Sequence, residues 1–343
     1  LYKVNSFDFH RYEDTIKLAD DPDYNQAAFE GMLEIKGDSD HTKLIEMLDA
    51  LNDESQKIDD VLATYFDTEN LVYWLAFQIL TGNCDTQNRN CYLYSPLNSN
   101  TWYFLDWDND GMLRKLELSL TGFSDYASWE RGVSNYWGNV LFNRALRSKS
   151  FRSELDAAVK DLRSYMTEER LAKMIKHYRE VTESLVFAAP DIDNLPVTKD
   201  QYERIAAAIP AEIEENYKSF RESYKKSMPF YIGMPQIDNG KLRINWDASY
   251  DFKARDIRYT VELARDYAIT DVIFKAEDVL LPEVTCDAPD TGQYFVRVRA
   301  TNSDGYTQDA FDYYVTDDGK QYGMLCFYVQ DGGKVVGDTY EEG

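Results

Sequence analysis

A change of hydrophobic period at Met228-Pro229 limits what this chain can fold into more than any other feature. Upstream of it, Leu, Phe, Ile and Tyr recur at helical spacing over about 137–147, 151–165, 168–188, 199–208 and 211–227, with Thr167 as an N-cap and Pro210 at a first-turn position. Downstream, Gly, Pro and Asn punctuate short stretches that alternate apolar and polar residues: Lys241–Trp246, Arg258–Leu263, Gln293–Ala300 and Phe311–Val315. A helix buries a stripe and a half-buried strand buries one face, so the two patterns call for different layer architectures. The expected fold is multidomain α+β: a mainly helical lobe over 1–228, an antiparallel β-sandwich over 229–317 and a C-terminal β-hairpin extension over 318–343. In that extension Met324–Val329 and Lys334–Val336 read as strands about Asp331-Gly332-Gly333. The 343 residues exceed one compact core, and 44% hydrophobic with 14% aromatic residues is ample for two.

The chemistry-bearing stretch lies behind one helix. Thr42–Leu51 and Ile58–Leu62 read as short helices, and Asp67 as the cap of an apolar helix over Glu69–Leu80. Leu71, Val72, Trp74, Leu75, Phe77, Ile79 and Leu80 cover nearly every side of it, so it runs through a core and gives the next loop a rigid support. That loop opens the run from Asn83 to Gly111, NCDTQNRNCYLYSPLNSNTWYFLDWDNDG. Asp85 and Asn90 stand in the D-x-x-x-x-N spacing with which a phosphotransferase loop uses Asp to accept the proton of the attacking hydroxyl and Asn to hold a metal ion. Cys91–Tyr94 and Trp102–Trp107 read as the strands of a β-hairpin about Pro96–Asn100, which returns Asp108 toward Asn90. A metal-binding Asp from a second segment is the remaining part such chemistry needs, and Asp108 fits it. Asp106 and Asp110 share its strand face and are in reach of a second cation. Arg89 is placed either to neutralise phosphate or to make an exposed salt bridge.

At Asp85, Asn90 and Tyr92, and again at Trp107, Asp108, Asn109 and Asp110, the chain resembles the CotH kinase family of spore-coat-type secreted kinases. The family's signature is an Asp, a following Asn-Tyr strand, and a hairpin ending in Trp-Asp-x-Asp; the resemblance extends more weakly over residues 1 to about 225. It implies a kinase-like C-terminal lobe in which Asp85 is the catalytic base, Asn90 a metal ligand and Asp108 the counterpart of the Asp in the D-F-G motif. It further implies an atypical kinase that uses ATP with Mg2+ (or Mn2+ or Ca2+) on a protein substrate, in a secreted, cell-surface or spore-coat setting. Asn83 and Cys84 stand where ordinary kinases carry His-Arg, and Asp106 where the family more often has Pro; neither departure removes a ligand. Leu1-Tyr2-Lys3-Val4 resembles the family's hinge segment, which implies a nucleotide-covering lobe encoded before residue 1 and leaves open whether this stretch acts alone. The module after 228 resembles fibronectin type III at Trp246, at Tyr294 as a tyrosine corner and at the Asn302-Ser303-Asp304-Gly305 turn. Such modules serve as spacers or as platforms for a surface or scaffold partner.

Rival readings occupy the same residues. Asp106-Trp107-Asp108-Asn109-Asp110-Gly111, followed by five residues and Glu117, satisfies the D-x-[DN]-x-[DN]-G-x5-E calcium loop, although a strand rather than a helix precedes it. A non-catalytic surface or scaffold protein with a degenerate kinase-like lobe is the other alternative. Residues 112–135 carry few regular signals and read as a surface loop or as the equivalent of an activation segment.

Composition excludes more than it assigns. A net charge of −24 argues against a nucleic-acid or anionic-membrane partner bound through phosphates. No apolar run reaches the length of a transmembrane segment; Leu71–Leu80 is a buried-helix length. Cys84, Cys91, Cys286 and Cys326 form no C-x-x-C pair and read as small buried thiols, and the scattered His10, His41 and His177 read as surface or capping residues.

Overall fold

The structure, a computed structural model, describes residues 1–122, 127–317 and 319–338. They divide into two compact units, one of residues 1–122 and 131–221, the other of 127–130 and 222–338. A helical region is followed by antiparallel sheets, which is the multidomain α+β class expected.

The first unit runs β1 (Tyr2–Val4), α1 (Gln26–Met32), β2 (Leu33–Ile35), α2 (Thr42–Asn52), α3 (Ile58–Tyr65) and α4 (Thr68–Thr81). Asp67 caps α4 by accepting the Asn70 N–H at 2.9 Å, and Gly82 ends it in the left-handed region at φ +66°. Leu71, Leu75, Ala76 and Leu80 are fully buried on α4, as a core helix requires. The hairpin follows as β3 (Cys91–Tyr94) and β4 (Tyr103–Asp106), in a sheet of order β2-β1-β3-β4. Its alternation buries Tyr2, Val4, Leu33, Cys91, Leu93 and Phe104 on one face, and Trp74 of α4 meets Phe104 there with ring centroids 4.8 Å apart. Then come α5 (Lys115–Leu120), α6 (Val140–Arg147), α7 (Lys149–Tyr165), α8 (Glu168–Val186) and α9 (Lys199–Ser223). Asn139, Ser148 and Thr167 cap α6, α7 and α8 through their side chains. α7 packs along α4.

Three expectations change here. The segments over 199–208 and 211–227 are one continuous helix, with a buried Pro210 inside α9 rather than opening a new one. Proline removes one N–H bond from a helix interior, but Ile213 and Phe220 beyond it are buried, and that packing holds the two halves in line. His41 precedes α2 but is a core residue: fully buried, it stacks on Phe29 at 4.2 Å and bonds the hydroxyls of Tyr2 (2.8 Å) and Tyr24 (3.1 Å). Burial pushes its pKa below the ordinary histidine value. Finally, the stretch 112–135, read as having few regular elements, contains α5 and most of a buried 3-10 turn over Gly132–Tyr136; Phe123 to Tyr126 lie outside the described residues.

The second unit contains β5 (Gln236–Asp238), β6 (Lys241–Asn245), β7 (Ile257–Ala264), β8 (Val272–Val279), β9 (Glu283–Asp287), β10 (Gly292–Asn302), β11 (Thr307–Asp309), β12 (Tyr313–Thr316), β13 (Gly319–Tyr322), β14 (Met324–Val329) and β15 (Val335–Gly337). A sheet of order β5-β6-β9 faces one of order β15-β14-β10-β7-β8, in which β11 also pairs with β10; β12 and β13 make a separate ribbon. Leu242 and Ile244 from the first sheet and Val261, Leu263, Val296, Val298 and Phe327 from the second share one apolar core. The C-terminal hairpin is part of this sandwich, since β14 pairs with β10 on one side and β15 on the other. Trp129 also belongs to this unit: it is buried, donates from Nε1 to the Ala310 carbonyl at 3.1 Å and meets Phe311 edge-on at 5.0 Å.

Candidate active site

The loop after α4 begins with a short 3-10 turn, Cys84–Thr86, capped by Asn83, whose Oδ1 accepts the Asp85 N–H at 3.3 Å. Four residues on, Arg89 sets its Nε 3.3 Å from Asp85 Oδ1. Asn90 then adopts the left-handed region at φ +58°, a conformation Asn tolerates better than most residues, and its Nδ2 donates to Asp85 Oδ2 at 2.7 Å. Asp85, Arg89 and Asn90 are thus brought together directly.

The hairpin returns the acidic segment to the same end of the sheet. Cys91 pairs with Asp106, so Asn90 and Trp107 flank one ladder position, and Asp108 follows with φ +54° and ψ +54°. Lys43 of α2 fixes the far end by donating from Nζ to the carbonyls of Pro96 (2.8 Å), Leu97 (3.1 Å) and Ser99 (2.7 Å). At the near end Tyr92 meets Trp107 edge-on at 5.2 Å, and the Lys3 ammonium lies 5.6 Å from the Trp107 ring. The turn closes tightly on the first loop: a Cβ at Gly111 would stand 2.6 Å from Asn83 Oδ1 and 3.4 Å from Asp85 Cβ. Gly is the residue that permits this approach.

Asp106 and Asp110 are exposed. Although Asp106 as a whole is exposed, its carboxylate turns inward to accept from the buried Gln78 Nε2 at 2.9 Å, and this local desolvation pushes its pKa up, opposed by hydrogen bonds from Asn109 and Gln78. Among the described residues no three His, Cys, Asp or Glu side chains gather as a metal-holding group. Nor does the segment form the helix-flanked calcium loop: β4 precedes it, and Glu117 makes two 2.8 Å bonds with Arg114.

Several contributors carry no motif. The Tyr136 hydroxyl donates to the Asn83 carbonyl at 3.2 Å and lies 2.9 Å from Thr86 Oγ1, and burial pushes its pKa well above the ordinary phenol value. Asn139 Nδ2 donates to the Gln87 carbonyl at 2.9 Å, and Arg131 donates to the Gly82 carbonyl at 3.3 Å and contacts Cys84. From α9, Asn216 donates to the Leu80 carbonyl at 3.0 Å, and the buried Glu212 accepts the Lys115 N–H at 3.4 Å with its pKa raised by desolvation. Of this set, Asn139 stands at a helix start, where a local capping rule applied to the sequence could have found it. The cysteines are free, with Cys91 and Cys326 buried and Cys84 and Cys286 half-buried.

A model of the CotH kinase protein family matches residues 1–220, nearly two-thirds of the 343-residue chain. Among solved structures, the twitchin kinase region from C. elegans is similar at 16% identity with a TM-score of 0.21, over 28% of this chain and 20% of that one. The chain therefore spans about a fifth of that structure's length. No match was found among curated proteins.

Proposed function

The chain belongs to the CotH kinase protein family, and we propose that its helical unit is the kinase-like C-terminal lobe of an atypical protein kinase, which moves the γ-phosphate of ATP to a protein hydroxyl. What carries this reading is the 2.7 Å bond from Asn90 Nδ2 to Asp85 Oδ2, formed across the D-x-x-x-x-N spacing. Asp85 takes the proton of the acceptor hydroxyl, and Arg89, half-exposed beside it, supplies positive charge toward phosphate oxygens. Because Asn90 donates to Asp85 through Nδ2, its carboxamide oxygen is not used in that bond, and this oxygen and the Asp108 carboxylate would be the hard oxygen donors for Mg2+, or for Mn2+ or Ca2+. Oxygen donors of this kind suit a hard divalent cation, which would supply charge neutralisation on the phosphates. Asp106 and Asp110 would be the donors to a second cation, although β4 ends at Asp106 and Asn109–Gly111 form a 3-10 turn, so the two do not share a strand face with Asp108.

The β-rich unit is proposed to be fibronectin type III-like and to carry no chemistry. Its first, second and fifth strands form one sheet and its third, fourth, sixth and last long strands the other. Tyr294 donates its hydroxyl to the Asp290 carbonyl four residues back at 2.9 Å, the bond expected of a tyrosine corner. No helix among the described residues is long and apolar enough to cross a membrane. The extracytoplasmic, surface or spore-coat setting rests on the family.

A second reading, a non-catalytic surface or scaffold protein, is favoured by the engagement of both Asp85 oxygens, one by Arg89 and one by Asn90. Radiolabel transfer from ATP by the natural full-length protein decides between the two. Asp85→Ala and Asp108→Ala should each lower it by roughly a hundredfold or more. Unchanged transfer in both would refute the assigned roles, and no transfer by the parent would favour the scaffold.

A further inference from the structure

We infer that Gln78 is a positioning residue, whose buried carboxamide fixes the loop carrying Asp85 to the loop carrying Asp108; this rests on the phosphotransferase reading above. Gln78 is fully buried in α4, a helix whose other inward positions are mostly apolar. A carboxamide in such a place is costly unless its donors and acceptor are bonded, and an apolar residue of equal size would pack as well. Here both ends of the amide are used. Nε2 donates to Asp106 Oδ1 at 2.9 Å and to Asn109 Oδ1 at 3.3 Å, and Oε1 accepts from Asn83 Nδ2 at 3.0 Å. Asn83 Nδ2 also donates to Asn109 Oδ1 at 3.3 Å, while Asn83 Oδ1 caps the Asp85 N–H. One side chain rooted in the core thus holds Asn83, two residues before Asp85, and holds Asp106 and Asn109, which bracket Asp108. Both Asn90 and Asp108 have positive φ, a backbone state that persists where the surroundings over-determine it. The bridge provides that constraint on the Asp108 side, and the Cβ-excluding approach of Gly111 to Asn83 shows how closely the two loops are drawn together.

The test compares the natural full-length protein with Gln78→Met, which keeps length and volume but removes the amide, and with Asn109→Ala, a loop substitution that removes the shared acceptor without touching the helix. Each should lower kcat for radiolabel transfer by roughly 10–100-fold, with KM for ATP within about threefold, because orientation rather than binding is lost. The double variant should be no worse than the poorer single one, as for groups that act as a unit. Wild-type kcat in either folded variant overturns the bridge, as does a loss that only tracks the unfolded fraction in a thermal melt. If Gln78→Met does not fold, Asn109→Ala decides. If the parent transfers no phosphate, it is the phosphotransferase reading that fails. The bridge is then judged by amide hydrogen exchange at Asp85 and Met112, whose N–H groups bond Asn83 Oδ1 and the Asn109 carbonyl: faster exchange in a folded variant supports it, and equal rates sink it.

Discussion

The two units hold their chains in place by different means. In the sandwich, position is set by backbone ladders and by the buried members of alternating strands, such as Leu242 and Ile244 facing Val296 and Val298. Ladder bonds use groups that every residue carries, so many side chains there are interchangeable so long as the core volume is kept. Around the candidate site, position is set by particular side chains reaching backbone in other segments: Tyr136 and Asn139 onto the loop after α4, Lys43 onto the hairpin turn, Asn216 onto the end of α4. A fold maintained by ladders and a site maintained by individual amides and hydroxyls should fail differently. The sandwich should lose stability when volume is removed, and the site should lose rate while the fold survives.

The largest expected effect tests the second half of that contrast. Asp85→Asn keeps the shape of the side chain and an acceptor for Asn90, yet it cannot take a proton, so transfer by the natural full-length protein should fall by about 100- to 10,000-fold. Its melting temperature should stay within about 3 °C of the parent, as for a half-exposed position. A collapsed melt with the same loss of rate would mean that Asp85 is structural and would break the contrast. Next in size is Phe327→Ala. Phe327 is fully buried among Tyr294 and the two sheets, and its truncation should cost about 3–5 kcal/mol, read as a lower calorimetric transition. Transfer per folded molecule should change by less than about twofold, and a larger change would show that the site depends on the sandwich core.

The same contrast explains what the sequence revealed. α4, the hairpin and the caps Asp67 and Thr167 were legible because each rests on a local rule: an all-round apolar helix, alternating strands about a turn, an oxygen side chain at a helix start. The spacing of Asp85 and Asn90 was legible because it is short. β8 and β9 were not: neither has a fully buried residue, β8 alternates only weakly, and β9 alternates over only five residues. Pro210 read as a helix start because its missing N–H is a local signal, whereas the burial of Ile213 and Phe220 that keeps α9 continuous is tertiary. Gln78, Asn83 and Tyr136 left no periodic trace, because a buried polar residue is defined by its partner and that partner lies elsewhere in the chain. The loop of 132–136 read as exposed for the same reason.

A smaller effect probes a charge within the sandwich unit. Asp312 accepts the Ile232 N–H at 2.8 Å, and burial pushes its pKa up to about 6. The folded state therefore holds a proton that the unfolded chain, with a carboxyl near its ordinary value, has already released. Stability from this group is present below the unfolded pKa and is lost as pH rises through about 6. At about 1.36 kcal/mol per unit, discounted for residual access to water, the change is on the order of 1–2 kcal/mol. Asp312→Asn keeps an acceptor for Ile232 and removes the titration. In melts between pH 4 and 7 the variant should gain on the parent as pH rises, and parallel curves would show that the buried carboxylate carries no such penalty.

The smallest effect bears on whether any single side-chain bond matters to the sandwich as the amides are argued to matter to the site. Tyr294→Phe deletes only the hydroxyl that reaches the Asp290 carbonyl and keeps the buried ring against Phe327. A neutral hydrogen bond of this kind contributes about 0.5–1.5 kcal/mol, so urea unfolding should show a loss of that order, with the m-value of the transition unchanged. The ladder from Gly292 to Arg297 on β14 holds β10 in register whether or not the corner bond forms, which is why the loss should stay small. A loss of about 3 kcal/mol or more would put this hydroxyl on the footing of a buried network member, and β10 would then depend on one side chain as the Asp85 loop is argued to depend on Gln78. In that event the difference between the units would lie in chemistry alone and not in how their chains are held.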